Sequence, residues 1–144
     1  MDAEQVPHPI ILYDGVCGLC NRMNQFVLKR DRAGVFRFAS LQSALAARIL
    51  ARHGANASDL DTVYVVVNPD LPDETLLARS DAVTYIARQL GGIWRLAGSI
   101  AHLLPRSIRD WGYRLVARHR YRIFGRFDAC PLPTPEHRSR FLDP

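Results

Sequence analysis

The stretch Pro9-Ile10-Ile11-Leu12-Tyr13-Asp14-Gly15-Val16-Cys17-Gly18-Leu19-Cys20 decides how this chain is read. Its first half is a short apolar run closed by Asp14-Gly15, the pattern of a buried strand entering a turn. Beyond the turn, Met23, Phe26, Val27 and Arg30 recur at helical spacing. They predict a helix over residues 17–31, with Gly34 as its stop signal. A Cys-x-x-Cys pair therefore stands at a strand-to-helix junction. Cys17 falls at the first turn, where unpaired backbone N–H groups and the helix dipole favour an anion. A thiol so placed becomes a ready thiolate nucleophile. Cys20 lies one turn later on the same face and is expected to be the more buried and less acidic of the two. The pair can cycle: Cys17 attacks a disulfide, a mixed disulfide forms, and Cys20 resolves it. Gly15 permits the sharp turn, and Gly18 is expected to leave the nucleophile uncovered. Asp14 can take the proton of Cys20 if it is partly buried; the alternative is a plain turn or cap role.

Working outward, Val35 to Ala39 alternates as a second strand, and residues 42–53 form a second helix ended by Gly54. Thr62 to Val67 is a β-branched run suited to the middle of a covered sheet. Asn68-Pro69-Asp70 turns the chain, and Thr75 to Arg79 returns as an antiparallel partner. Ser80 or Asp81 is the expected cap of a helix over 82–90, ended by Gly91-Gly92. The order β-α-β-α-β-β-α predicts an α/β fold: a mixed four-stranded sheet flanked by helices, with its core at about residues 8–92. After Gly92, the stripe Ile93, Leu96, Ala97, Ile100, Leu103 and Leu104, then Ile108, Trp111 and Leu115, predicts a helical extension over 93–144. It is expected to pack on the sheet within a single domain.

Composition narrows the classes. The chain has 144 residues, 48% of them apolar, and a net charge of +5. That suits one globular domain and argues against disorder. No apolar run is long enough for a transmembrane helix. The start, Met1-Asp2-Ala3-Glu4-Gln5, is unlike a secretory signal, so the expected location is cytoplasmic. Three cysteines are too few for a disulfide scaffold, and a Cys-x-x-Cys pair in a reducing compartment is more often chemical than structural. The charge is uneven: residues 1–82 carry −2 and residues 83–144 carry +7.

Other readings compete. Structural zinc would need two more ligands from Cys130, His8, His53, His102, His119 and His137, none of which forms a second close pair. His102 and His119 lie near apolar stripes and are expected to be packed. Segment 105–126 interleaves seven arginines with aromatic residues. The usual arrangement is a solvated Arg face with the aromatics packed inside. Weak contact with a membrane surface is the alternative, and no nucleic-acid partner is expected. Some of these arginines could approach Cys17 and stabilise its thiolate. No nucleotide-binding loop exists, and no cofactor is expected.

The motif Asp14-x-x-Cys17-x-x-Cys20 resembles the DCC family of thiol-disulfide oxidoreductases. So do Ser80-Asp81-Ala82, Tyr113 to Arg120, Cys130-Pro131 and Pro135-Glu136. The resemblance implies a thioredoxin-like fold and thiol-disulfide oxidoreductase activity, and makes Cys130 a candidate partner thiol near Cys17. One departure is that no proline stands near Asp61, where thioredoxins carry a cis-proline, so substrate docking is expected to differ. Gly18-Leu19 replaces the Gly-Pro dipeptide of thioredoxin. The reading is an enzyme with Cys17, Cys20 and Asp14 as its catalytic residues. Its partners would be a protein or small-molecule disulfide or thiol and an electron donor that no motif identifies. The rival is a non-catalytic module binding zinc or a partner through Cys17, Cys20 and the basic half.

Overall fold

A computed structural model describes residues 8–15, 17–31, 34–55, 63–124 and 140–143. The elements are β1 (Ile10–Tyr13), α1 (Gly18–Arg30), β2 (Arg37–Ser40), α2 (Ala44–Arg52), β3 (Tyr64–Val67), β4 (Thr75–Ala78), α3 (Arg79–Leu90), α4 (Gly92–His102), α5 (Arg106–Phe124) and β5 (Phe141–Asp143). The strand order is β4-β3-β1-β2-β5. β1 runs parallel to β2 and antiparallel to β3, while β3 and β4 form an antiparallel pair. This is the mixed sheet that the order of elements implied, and its strand order fits the thioredoxin-like fold that the resemblance implied.

Both faces of the sheet are covered, which is why β1 is apolar at every position. Ile11 and Tyr13 pack with Phe38, Val65, Val27 and Ile86 on the face of α1 and α3. Ile10 and Leu12 pack with Ala46, Ile49, Leu50 and Val66 on the face of α2. Gly91, at φ +77°, separates α3 from α4 in a conformation that glycine adopts without strain.

Three expectations are corrected. The sheet has five strands, because β5 pairs in parallel with β2. Phe141 drives this by stacking on Phe38, ring centroids 4.8 Å apart. Arg140, beside it, pairs with Asp31 and donates to the Phe36 carbonyl. Second, α3 starts at Arg79 with no side-chain cap, so Ser80 and Asp81 lie inside its first turn. Their side chains turn to α5 instead: the Ser80 hydroxyl donates to Asp110, and Asp81 takes Arg109 at 2.8 Å and Arg106 at 3.2 Å.

Third, the apolar stripe of the extension is not its packing face. Ile93, Leu96, Ile100 and Leu103 are 57–84% exposed, Trp111 is exposed, and so is His102. α4 meets α3 through its small residues. A Cβ built on Gly98 would lie 3.0 Å from the Ala87 Cβ and 3.1 Å from the Thr84 carbonyl, so any larger residue would force its neighbours to give way at this close approach. Trp94 sits edge-on to Phe26 at 4.8 Å, with the Arg30 guanidinium 3.7 Å from the Phe26 centroid. α5 packs against both α1 and α3. No helix among the described residues is long and apolar enough to cross a membrane.

Candidate active site

The parallel pairing of β1 with β2 sets Tyr13 beside Ser40, so the turn after each strand lies at one end of the sheet. The Cys17 N–H donates to the Asp14 carbonyl at 3.1 Å and closes the turn. Cys17 is then the N-cap of α1, with φ −82° and ψ 125°, and its Sγ accepts the Cys20 N–H at 3.4 Å. A sulfur takes the place that Ser, Thr or Asp usually holds. Asn21, one turn on, donates to the Gly15 and Cys17 carbonyls, each at 2.9 Å, and staples the motif to its helix.

Cys17 and Cys20 are not joined to each other by a disulfide, and their burial is the reverse of the expectation. Cys17 is fully buried, whereas Cys20 is partly exposed. The cap geometry is the cause: the Cys17 sulfur folds back under the first-turn N–H groups, so Gly18 does not uncover it. The acidity of Cys20 is lowered. The hydrogen bond its thiol gives Cys17 pushes it far above the usual thiol range, followed by burial and the Cys17 charge. The Asp14 backbone amide pulls it down, and the nearby Asp14 carboxylate pushes it up.

Asp14 is buried beside the pair. Gln42 orients it, donating from Nε2 to Asp14 Oδ1 at 2.8 Å. Gln42 is itself held, because its Oε1 accepts from the Gly15 N–H at 3.0 Å and from the Ser40 hydroxyl. Sequence reasoning missed Gln42 and Asn21. The spacing of Asn21, four residues after Cys17 on one helix, was the available signal for it. For Gln42 no local signal exists, since its contacts with residues 14 and 15 span the β1-α1-β2 crossover.

Cys20 opens into an apolar cavity of about 440 Å³ between α1, α3, α4 and α5. Tyr113 of α5 crosses to β3, where its hydroxyl accepts the Val63 N–H at 2.7 Å. No group of three or more His, Cys, Asp or Glu suited to a metal ion occurs among the described residues. Cys130, His137, Asp61 and Pro131 lie outside those residues, and so do the expectations that rest on them.

The chain is similar to known proteins. Residues 11–126 match the family described as DCC1-like thiol-disulfide oxidoreductase. The chain is 36% identical over 142 residues to the uncharacterized protein YuxK of Bacillus subtilis (strain 168), covering 99% of each chain. It is also 36% identical over 129 residues to a chloroplastic DCC family protein of Arabidopsis thaliana, covering 90% of this chain and 72% of that one. No solved structure matches the chain. With the matched region spanning the motif, the sheet and the helices that enclose the cavity, the chain belongs to the DCC1-like thiol-disulfide oxidoreductase family.

Proposed function

We propose that this protein exchanges its Cys17–Cys20 dithiol with a substrate disulfide, Cys17 attacking and Cys20 resolving. One observation carries the reading. Cys17 caps α1 and receives both the Cys20 N–H and the Cys20 thiol, so negative charge is best placed on Cys17. The thiolate is the nucleophile in such exchange, and Cys20, held as a thiol, is a poor one. Cys17 must leave the cap and turn toward the cavity that Cys20 lines. Its thiolate attacks one substrate sulfur, the S–S bond breaks, and the departing thiolate takes a proton from solvent. Cys20 then gives its proton to Asp14 and attacks Cys17 Sγ. The second substrate thiol leaves with that proton, and two electrons have passed from protein to substrate.

The exposure of Cys20 favours a second reading, in which Cys20 makes the first attack. Trapping decides between them. A Cys20→Ser variant accumulates a mixed disulfide on Cys17 if the proposed order holds. If only Cys17→Ser accumulates one, the order is reversed. If neither variant traps a partner and the wild-type pair never oxidises, the exchange reading fails and the binding-module reading takes its place.

A further inference from the structure

We infer that the substrate taken in the cavity beside Cys20 is a small, uncharged, apolar disulfide and not a protein disulfide or a charged one; this rests on the exchange reading above. The cavity, about 440 Å³, falls within the ~300–1,000 Å³ typical of small-ligand sites. Its wall is almost wholly apolar, and Met23, Val83, Val116 and Ala117 line it together with Cys20. Val83 and Val116 are also partly exposed, so apolar surface continues to the rim.

The polar groups of the wall are already engaged with one another. Arg109, with a side chain 9% exposed, gives its Nη1 to Asp81 at 2.8 Å and to the Ser80 hydroxyl at 3.4 Å. Ser80 in turn donates to Asp110. The one cation lining the cavity among the described residues thus has its charge answered. A substrate bearing carboxylates would lose hydration on entry and find no counter-charge, which is costly.

An extended peptide is disfavoured for a different reason. A strand end beside a dithiol can dock a peptide only through unpaired backbone groups. Val63, which lines the cavity immediately before β3, has none to offer. Its N–H goes to Tyr113 at 2.7 Å, and its C=O accepts the Arg79 N–H at 3.0 Å, with Arg79 at φ +54°. α5 has taken the place of a docked chain.

The reaction is two-electron exchange. The protein dithiol and R–S–S–R′ become the Cys17–Cys20 disulfide with RSH and R′SH, and no further oxidant is required. The test uses the reduced full-length protein with three oxidants: lipoamide, oxidised glutathione and the disulfides of insulin. Oxidation of the pair is followed by alkylation and mass shift. Each rate is divided by that of the same disulfide with dithiothreitol, which removes intrinsic reactivity. Lipoamide is expected to exceed glutathione by about tenfold or more after this correction. Gly112→Phe fills the cavity from α5, where a Cβ meets nothing within 4 Å. It should cut the lipoamide-to-glutathione ratio by about tenfold. Val83→Arg, at an exposed rim position, supplies the counter-charge that a carboxylate-bearing disulfide lacks; it should lower the same ratio and covers the case in which Gly112→Phe fails to fold. If glutathione or insulin reacts fastest and neither variant changes the ratio, the substrate class is wrong while the exchange reading stands. If none of the three oxidises the pair, both fall.

Discussion

Replacing Asp14 with asparagine separates a proton-relay role from a merely electrostatic one. The amide oxygen of an Asp14→Asn variant can still accept the Gln42 Nε2–H that Asp14 Oδ1 accepts at 2.8 Å, so the local geometry is kept and only the base is lost. Two effects then oppose each other in the resolving step. In the mixed disulfide, the Cys17 sulfur no longer accepts the Cys20 thiol or repels its charge. Burial and the Asp14 charge are what remain to hold Cys20 up. Removing that charge lowers the Cys20 pKa, which favours resolution. The gain is small, because the Asp14 charge is the weakest of the influences on Cys20. Removing a base in reach of the thiol slows resolution by on the order of a hundredfold. The net expectation is a resolving step about ten to a hundred times slower. The pH profile carries a second signature. Without a base, the rate follows the Cys20 thiolate fraction and rises about tenfold per pH unit below its pKa. With Asp14 present, the dependence is shallower. Loading Cys17 as its mixed disulfide with thionitrobenzoate and following release of the coloured thiolate by stopped-flow reads both quantities. A variant that resolves faster than wild type at every pH, with the same slope, would refute the relay.

Three further outcomes follow from the contacts. Asp31 accepts the Val35 and Phe36 N–H groups at 3.0 and 2.8 Å and pairs with Arg140, so Asp31→Ala should cost about 3–5 kcal/mol in urea unfolding. A loss below about 1 kcal/mol, the scale of an exposed ion pair, would show that β5 is not anchored there. Asn24 is buried, and neither polar atom of its amide finds a hydrogen-bond partner among the described residues. Asn24→Leu should therefore raise thermal stability, by about 1–3 kcal/mol, and a lowered Tm would mean that the amide has a partner. Burial works to raise the Glu74 pKa, but the Asp70 N–H at 2.9 Å, His53 at 2.7 Å and Arg52 at 2.7 Å outweigh it, and the pKa is lowered. A depressed carboxylate stabilises above its unfolded pKa of about 4.5, and that stability is lost as pH falls through the folded value. Wild type should accordingly be more stable than Glu74→Gln at neutral pH, with the gap closing in acid; a constant gap from pH 7 to pH 3 would contradict the pairing.

What the sequence made legible was what local pattern encodes. β1, the turn at Asp14-Gly15 and the start of α1 follow from an apolar run, a turn pair and a helical period, all close together in the chain. β5 was invisible because Phe141-Leu142-Asp143 is too short to show alternation, and its partner Phe38 lies at the far end of the chain. The burial of the two cysteines was misjudged for a related reason. Spacing places both sulfurs on one helix face but does not say that the first will fold back to cap the helix. The stripe of α4 shows the limit of amphipathic patterning. Ile93, Leu96, Ile100 and Leu103 share a face, yet α4 packs through Trp94, Gly98 and Ala101 at the same helical spacing. Gly98 and Ala101 let two backbones approach, which a count of large apolar residues does not register.

The extension changes meaning once its contacts are known. Read as charge, residues 83–144 carry +7 and suggest an anionic partner or an arginine that steadies the Cys17 thiolate. Yet the arginine lining the same cavity as Cys20 is committed elsewhere: Arg109 lies against Asp81, and Arg106 joins it there. These pairs fasten α5 to the first turn of α3, while Tyr113 fastens it to β3. With those contacts α5 becomes the roof of the dithiol site, and some of the positive charge is used internally to hold it down. On the substrate class proposed above, a roof so fastened closes the strand end to peptides and leaves an apolar wall beside Cys20. On that proposal, the helices that look like an appendage in the sequence select what reaches the cysteines, through an apolar wall and not through charge.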